Sequence, residues 1–252
     1  MIEILILSLV QGITEFLPIS SSSHLIIIAE NYNFKNQSLI LDVSLHMGSF
    51  FAVLVYFRNE ILDFVKNKEL FLKILISSIP VMIAGYLLVE TNLIEKLRNI
   101  KVIGWTTVIF GILLFISDKF KFDKNIENNF NLKSALFIGL FQILSLVPGV
   151  SRAGIAITAG RFLSFNRFDA SKISFLLSIP TLGAVSVYGL SNIISSESFE
   201  ISRLSLFAIL FSFIFSFLTI NYFLKYIKKF SMNIFVIYRL LIGLILLYFA
   251  YL

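Results

Sequence analysis

The chain has 252 residues, of which 58% are hydrophobic and only 14% are charged, and its mean hydropathy is +0.91. Soluble domains are typically about 45–50% apolar and about 25% charged, so this composition excludes a soluble protein and indicates an all-α polytopic membrane protein. Cysteine is absent, which excludes disulfides and thiol catalysis. The net charge of +6 does not indicate nucleic-acid binding, because most basic residues lie in short loops between apolar segments.

Two apolar regions are interrupted and predict re-entrant helical hairpins. Residues 2–17 and 21–30 are separated by Pro18 and the serines of the stretch EFLPISSSSH. Residues 132–147 and 150–163 are separated by the pair Pro-Gly at 148–149. At about 1.5 Å per residue, no arm crosses the ~30 Å hydrocarbon core. Each pair of arms should therefore enter and leave the membrane on one side.

Six further segments are long and apolar enough to cross a bilayer, which takes about 20 residues. They lie near 40–58, 70–90, 101–117, 168–190, 203–224 and 232–252. In a single membrane domain, repeat 1 (about 1–120) and repeat 2 (about 131–252) would each hold one hairpin and three spans. Because three is odd, the second repeat should be inverted, and the two hairpin tips should meet near the midplane, as in transporters built from inverted repeats.

The distribution of basic residues predicts the orientation in the membrane. Fourteen Lys and Arg residues lie in the loops on one side, near 58–73, 119–133, 161–172 and 225–229, and five lie on the other side. The positive-inside rule places the first side in the cytoplasm. Both termini and the first hairpin should then face outward.

Two ionisable side chains lie at the hairpin tips, Glu15 in the first and Arg152 in the second. Such groups are costly at membrane depth and pair inside the protein, so one interpretation is an ion pair that only joins the hairpins. The neighbouring residues favour chemistry instead. Gln11 shares a helical face with Glu15, and His24 shares one with the serines that begin the second arm.

The backbone at the tips predicts an anion site. Each second arm begins a helix whose free N–H groups and positive dipole end point to the turn, and such ends bind phosphate. The stretch PGVSR at 148–152 adds a tight turn, a hydroxyl and a planar guanidinium that suits phosphate oxygens. Glu15 and His24 add a base or metal ligand and a proton carrier or nucleophile.

The stretch QGITEFLPISSSSH from Gln11 and the stretch LVPGVSRAG around Arg152 resemble the two motifs of the bacterial undecaprenyl-diphosphate phosphatase family, also called bacitracin-resistance proteins. RFLSFNRFDASKISFLLSIPTLGA from Arg161 and YRLLIG from Tyr238 resemble later segments of that family, so the resemblance covers essentially the whole chain. It implies hydrolysis of undecaprenyl diphosphate, which recycles the lipid carrier of cell-wall synthesis. It also implies a divalent cation, Mg²⁺ or Ca²⁺, and an active site open to the outer face of the plasma membrane.

The motifs also give the expected site residues. Catalytic residues are expected at Glu15, Ser21, His24 and Arg152, phosphate-binding residues at Ser20, Ser22, Gly149 and Ser151, and cation ligands at Glu15 and Gln11. Ser21 is the expected nucleophile, with His24 or Glu15 taking its proton. Direct attack by His24 is the competing mechanism.

The chain departs from the family's pattern at several positions. Gln11 stands where some members have a glutamate, so a cation would have one fewer anionic ligand. Ala153 and Ala156 replace the usual serine and threonine, and their side chains cannot hold phosphate. Outside the motifs, His46 is as readily a packing residue as a site residue, and Arg239 is expected to be structural.

Two other functions stay open from the sequence. A transporter or flippase of an anionic polyprenyl lipid would suit inverted repeats but has less use for the Ser, His and Glu set at the first tip. A purely structural membrane subunit would leave the hairpin tips unexplained. The expected partners are the polyprenyl diphosphate lipid and the bilayer, and a homodimer stays open.

Overall fold

The computed structural model describes residues 1–32, 39–64, 68–91, 96–194 and 199–252. The helices with described bounds are α1 (Ile2–Thr14), α2 (Ser21–Tyr32), α3 (Leu39–Tyr56), α4 (Arg58–Phe64), α5 (Lys68–Glu90), α6 (Ile100–Asp118), α7 (Ile126–Asn129), α8 (Leu132–Ile143), α9 (Arg152–Phe162), α10 (Arg167–Ile194), α11 (Phe199–Ile227) and α12 (Asn233–Tyr251).

The two predicted hairpins are present as pairs of short helices. The first is formed by α1 and α2, and the second by α8 and α9 with a 3-10 turn at Leu144–Leu146. The longest arm, α1, has 13 residues, which is about 20 Å and less than the membrane core. The first arms end earlier than predicted, at Thr14 and Ile143, so each α-helix stops several residues ahead of the proline that could not continue it.

Among the described residues, five helices are long and apolar enough to cross a membrane. They are α5, α6, Arg167–Val187 of α10, Arg203–Ile227 of α11, and α12. The segment predicted to span at 40–58 is α3, an 18-residue helix that packs against α10 and α11. Of its described side chains only Phe51 and Val55 are well exposed, so most of α3 is covered by other helices, and its crossing of the membrane stays a prediction.

The outer surface of the bundle is apolar. Large hydrophobic side chains such as Tyr86 on α5, Ile109 on α6 and Leu241 on α12 are exposed. Contiguous exposed apolar surface of this kind is unfavourable in water but matches the hydrocarbon core of a bilayer. The protein is therefore an all-α, multi-pass membrane protein.

Helices from the two halves of the chain pack against each other. The first arm of each hairpin contacts a long helix of the other half, α1 against α11 and α8 against α5. Gly139 allows the second contact, because a Cβ there would overlap the carbonyl oxygen of Ser77. These reciprocal contacts between the two halves fit the predicted pair of repeats. The inverted orientation of the second repeat stays a prediction.

Arg239 of α12 is fully buried and connects the two hairpin turns. Its Nη1 donates to the carbonyl oxygens of Pro18 and Val150, each at 3.0 Å. Its Nη2 donates to Gly149 at 2.8 Å, and its Nε donates to Thr107 of α6 at 3.2 Å. Within the described residues it forms no salt bridge with a carboxylate. These contacts agree with the structural role that the sequence predicts for Arg239.

We expect Arg239→Met to lower the free energy of unfolding by about 3 kcal/mol or more, since each buried carbonyl left without a donor costs about 1–3 kcal/mol. Denaturant unfolding of the purified protein in detergent measures the change. Arg203→Met, on an exposed position of α11, is the matched control. Equal stability of the two variants would contradict the role assigned to Arg239.

Candidate active site

A cavity of about 260 Å³ lies where the two hairpin tips meet. Six predicted site residues line it, namely Glu15, Ser20, Ser21, Ser22, Ser151 and Arg152. The other lining residues include His46, Gln142 and Ser145, together with the apolar side chains of Val81, Leu146, Leu182 and Val185. A larger cavity of about 540 Å³, lined by Lys124, Arg167 and Lys228 among others, contains none of the predicted site residues.

Glu15 is the centre of the polar network in the cavity. Its Oε1 accepts a hydrogen bond from Arg152 Nη2 at 2.6 Å, which forms the predicted ion pair between the hairpins. Its Oε2 accepts from the Ser21 hydroxyl at 2.7 Å and from Gln11 Nε2 at 3.0 Å. A serine hydroxyl that donates to a buried carboxylate is the arrangement of a nucleophile and its base.

Arg152 keeps donor capacity beyond its bond to Glu15. A guanidinium carries five N–H donors. The described contacts use one for Glu15 and one, at 3.4 Å, for the carbonyl oxygen of Ser174. The remaining donors can bind phosphate oxygens in the bidentate manner that arginine favours. Arg152 is thus placed both to hold Glu15 and to receive an anion.

The two turns share an unusual backbone conformation. Ser20 has φ 75° and Ser151 has φ 73°, and each directly precedes the second arm of its hairpin. Positive φ is uncommon for residues other than glycine and concentrates at functional sites. Counted from the prolines, Ser21 in the first turn would correspond to Ser151 in the second. The φ angles instead match Ser20 with Ser151, because one more residue, Gly149 at φ 94°, separates the proline from the serine in the second turn.

Some serine hydroxyls at the hairpin tips already take part in hydrogen bonds within the protein. Ser151 Oγ accepts from the Gly154 N–H at 3.0 Å and caps α9. Ser20 Oγ forms hydrogen bonds with Ser22 Oγ at 3.3 Å and with Ser23 Oγ at 3.1 Å. Among the serines described at the tips, Ser21 is the one whose hydroxyl donates to the Glu15 carboxylate. This singles out Ser21 among the four serines.

His24 has both ring nitrogens engaged away from Ser21. Its Nδ1 lies 2.6 Å from the carbonyl oxygen of Ser20, so Nδ1 donates, because a carbonyl only accepts. Its Nε2 pairs with the hydroxyl of Tyr238, whose ring stacks on the imidazole. His24 therefore holds the backbone of the strained turn, and the hydroxyl of Ser21 donates to Glu15 instead.

His46 is the histidine that lines the cavity. Its Nδ1 donates to the carbonyl oxygen of Asp42 at 2.8 Å, which leaves Nε2 facing Glu15 Oε2 at 3.8 Å. From the sequence, His46 was equally consistent with a packing residue and with a site residue. The available signal was weak, because a lone histidine inside an apolar helix has no motif around it.

Two buried glutamines occupy equivalent positions, Gln11 in α1 and Gln142 in α8, 131 residues apart. The same separation relates Ser20 to Ser151. Gln142 was not identified from the sequence. The spacing of 131 residues from Gln11 is the signal that could have found it.

The possible cation ligands around Glu15 are too few to hold a divalent cation without a bound phosphate. Among the described residues, no group of three or more His, Asp or Glu side chains could hold a metal. Gln11 turns its Nε2 toward Glu15, and its Oε1 is buried without a hydrogen-bond partner. Mg²⁺ commonly binds through one or two carboxylates plus substrate phosphates. Glu15 could supply the carboxylate of such a set, and Gln11 would add its Oε1 after its amide turns over, because its Nε2 faces Glu15 in this structure.

Comparison with known proteins identifies the family of this chain. The family described as bacitracin resistance protein BacA matches residues 4–245. A protein of Pelagibacter ubique (strain HTCC1062) named undecaprenyl-diphosphatase is 56% identical, over 97% of this chain and 96% of the relative. Proteins of the same name from Hahella chejuensis (strain KCTC 2396) and Jannaschia sp. (strain CCS1) are 39% and 37% identical, each over at least 97% of both chains. The chain therefore belongs to the bacitracin resistance protein BacA family.

Proposed function

We propose that this protein hydrolyses undecaprenyl diphosphate to undecaprenyl phosphate and phosphate, recycling the lipid carrier for cell-wall synthesis and conferring bacitracin resistance. The observation that carries the proposal is the triad at the hairpin tips. In it, Ser21 donates to Glu15 at 2.7 Å and Arg152 donates to the same carboxylate at 2.6 Å. The names of the relatives agree with this reaction.

The cavity suits an amphipathic lipid. Its polar end holds Arg152 and the N-termini of α2 and α9, which together favour a diphosphate. Its apolar lining is made of Val81, Leu146, Leu182 and Val185. The polyprenyl tail would leave the cavity along these side chains toward the lipid-facing surface.

The reaction would proceed by phosphoryl transfer to Ser21. Its Oγ attacks the terminal phosphorus and gives its proton to Glu15 Oε2, while the bond to the bridging oxygen breaks and undecaprenyl phosphate leaves. Arg152 neutralises the charge on the transferred group. Water then attacks the phosphoserine, releasing phosphate and restoring the hydroxyl.

Substrate binding would itself prepare the base. A diphosphate held by the remaining Arg152 donors competes with Glu15 for the positive charge of the same guanidinium. The bond from Arg152 to Glu15 then weakens, and Glu15 becomes a better proton acceptor. The ion pair of the free protein thus has a role in the catalytic cycle.

A divalent cation, Mg²⁺ or Ca²⁺, is part of the proposal. Glu15 and the Gln11 Oε1 would hold it together with substrate phosphates, and it would neutralise phosphate charge when bound. The steps assigned to Ser21 and Arg152 do not depend on its geometry.

The proposed location is the bacterial plasma membrane, with the active site open to the outer face. The excess of basic residues in one set of loops supports this orientation. The chain is proposed to consist of two inverted repeats. The packing of each hairpin's first arm against the other half supports that arrangement.

The purified protein should release one phosphate from each undecaprenyl diphosphate, measured as free phosphate in detergent. Arg152→Ala should lower turnover at least about 10²- to 10³-fold, since it removes the donor that neutralises the transferred group. Lysines that line the larger cavity provide a control, and Lys228→Ala should retain turnover. Movement of the lipid across liposome membranes without phosphate release would decide for a transporter instead.

Rapid quenching with substrate labelled on its terminal phosphate should trap label on Ser21, because this hydroxyl is the one bonded to Glu15. Ser21→Ala should form no labelled protein. Ser117→Ala, a buried serine bonded within α6, should label normally. Label on a histidine would refute the serine mechanism.

Gln11→Glu should lower the concentration of Mg²⁺ needed for half-maximal turnover by about tenfold, since a second carboxylate strengthens cation binding. Titration of metal-stripped protein measures the change. Gln11→Met provides the matched apolar control. An unchanged Mg²⁺ requirement in Gln11→Glu would place the cation elsewhere.

A further inference from the structure

Gln142 carries an unsatisfied carboxamide at the wall of the active-site cavity. The residue is fully buried and lines the cavity. Within the described part of the chain, neither its Oε1 nor its Nε2 has a hydrogen-bond partner. Nearly all buried polar side-chain atoms in folded proteins are paired, so a group missing both partners needs an explanation.

The neighbouring polar groups do not supply a partner. The Ser145 hydroxyl donates to the backbone carbonyl oxygen of Gln142 at 2.6 Å and leaves the carboxamide untouched. Arg152 donates to Glu15 and to the Ser174 carbonyl oxygen. The group that satisfies the carboxamide must therefore come from what the cavity binds.

Gln11 provides an internal comparison, because it has the same side chain, is also fully buried, and lies 131 residues earlier in the first arm of the other hairpin. Its Nε2 donates to Glu15. The position in the second hairpin that corresponds to Glu15 is Leu146, which has no acceptor in its side chain. The Nε2 of Gln142 is thus placed as a hydrogen-bond donor for which the described residues supply no acceptor.

We propose that Gln142 is a substrate-binding residue whose Nε2 donates to an oxygen of the terminal phosphate, while its Oε1 accepts from the water that hydrolyses the phosphoserine. This inference rests on the proposed function. A phosphate group offers acceptors to the Nε2, and water is the donor that the reaction itself consumes. A carboxamide suits both tasks, because it carries a donor and an acceptor side by side.

The proposal has an unusual consequence for stability. Removing a buried polar group that has no partner in the free protein is neutral or stabilising, whereas removing a paired one is destabilising. A residue kept for its ligand should therefore show improved or unchanged stability and impaired activity when it is replaced. A residue kept for packing should show the reverse.

Gln142→Met keeps the length of the side chain and removes both polar atoms. We expect the melting temperature of the substrate-free protein to stay unchanged or to rise by about 2–4 °C. We expect kcat/KM for undecaprenyl diphosphate to fall about 10- to 100-fold through loss of a hydrogen bond to a charged group. The thermal shift produced by a non-hydrolysable polyprenyl methylenediphosphonate should shrink in parallel.

Gln11→Met is the matched variant and should lower the melting temperature, because Glu15 loses a donor. Gln142→Glu should bind the diphosphonate more weakly than Gln142→Met, since it adds repulsion to the lost bond. If Gln142→Met lowers the melting temperature as Gln11→Met does and leaves the diphosphonate shift intact, the inference is wrong. Failure of the proposed function is distinguishable, because the unmodified protein would then release no phosphate.

Discussion

The guanidinium of Arg239 is the interaction on which the arrangement of the site depends. Hairpins that do not cross the membrane leave turn carbonyls in its interior, where no water is available to pair them. Arg239 satisfies three such carbonyls from both turns and one from α6. Its five donors in a rigid fork allow this, and lysine could not reproduce it. Because the turns are fixed, Glu15 and Arg152 of different hairpins meet at 2.6 Å.

The charge balance of the tips explains why an anion is the natural ligand. Two guanidinium groups, the half-buried one of Arg152 and the fully buried one of Arg239, lie near the turns with one carboxylate, Glu15, between the hairpins. The free protein therefore keeps excess positive charge in a medium of low dielectric constant, where isolated charge is costly. A bound diphosphate offsets that excess. The same electrostatics would stabilise the charge on a phosphoryl group during transfer.

Much of this arrangement could be predicted from the sequence, because length and hydropathy constrain what crosses a membrane. The hairpins, the Glu15–Arg152 pair and the structural role of Arg239 all follow from the cost of polar groups at that depth. The sequence did not reveal that other helices cover most of α3, because an apolar segment looks the same whether it faces lipid or protein. The sequence also could not show which of the two histidines lies next to Glu15. His24 lies in the motif but bonds to Tyr238, which is 214 residues away, while His46 reaches Glu15 from another helix.

The bond between Arg239 and the Pro18 carbonyl oxygen joins residues 221 positions apart. During synthesis, the first hairpin therefore enters the membrane long before the side chain that completes its turn exists. Until α12 is inserted, that turn carries unpaired carbonyls and strained serine backbone, and α12 in turn must insert with a guanidinium that has no partner yet. Biogenesis of the active site is consequently a late event, and a chain truncated before the last helix would be membrane-bound yet without an ordered site.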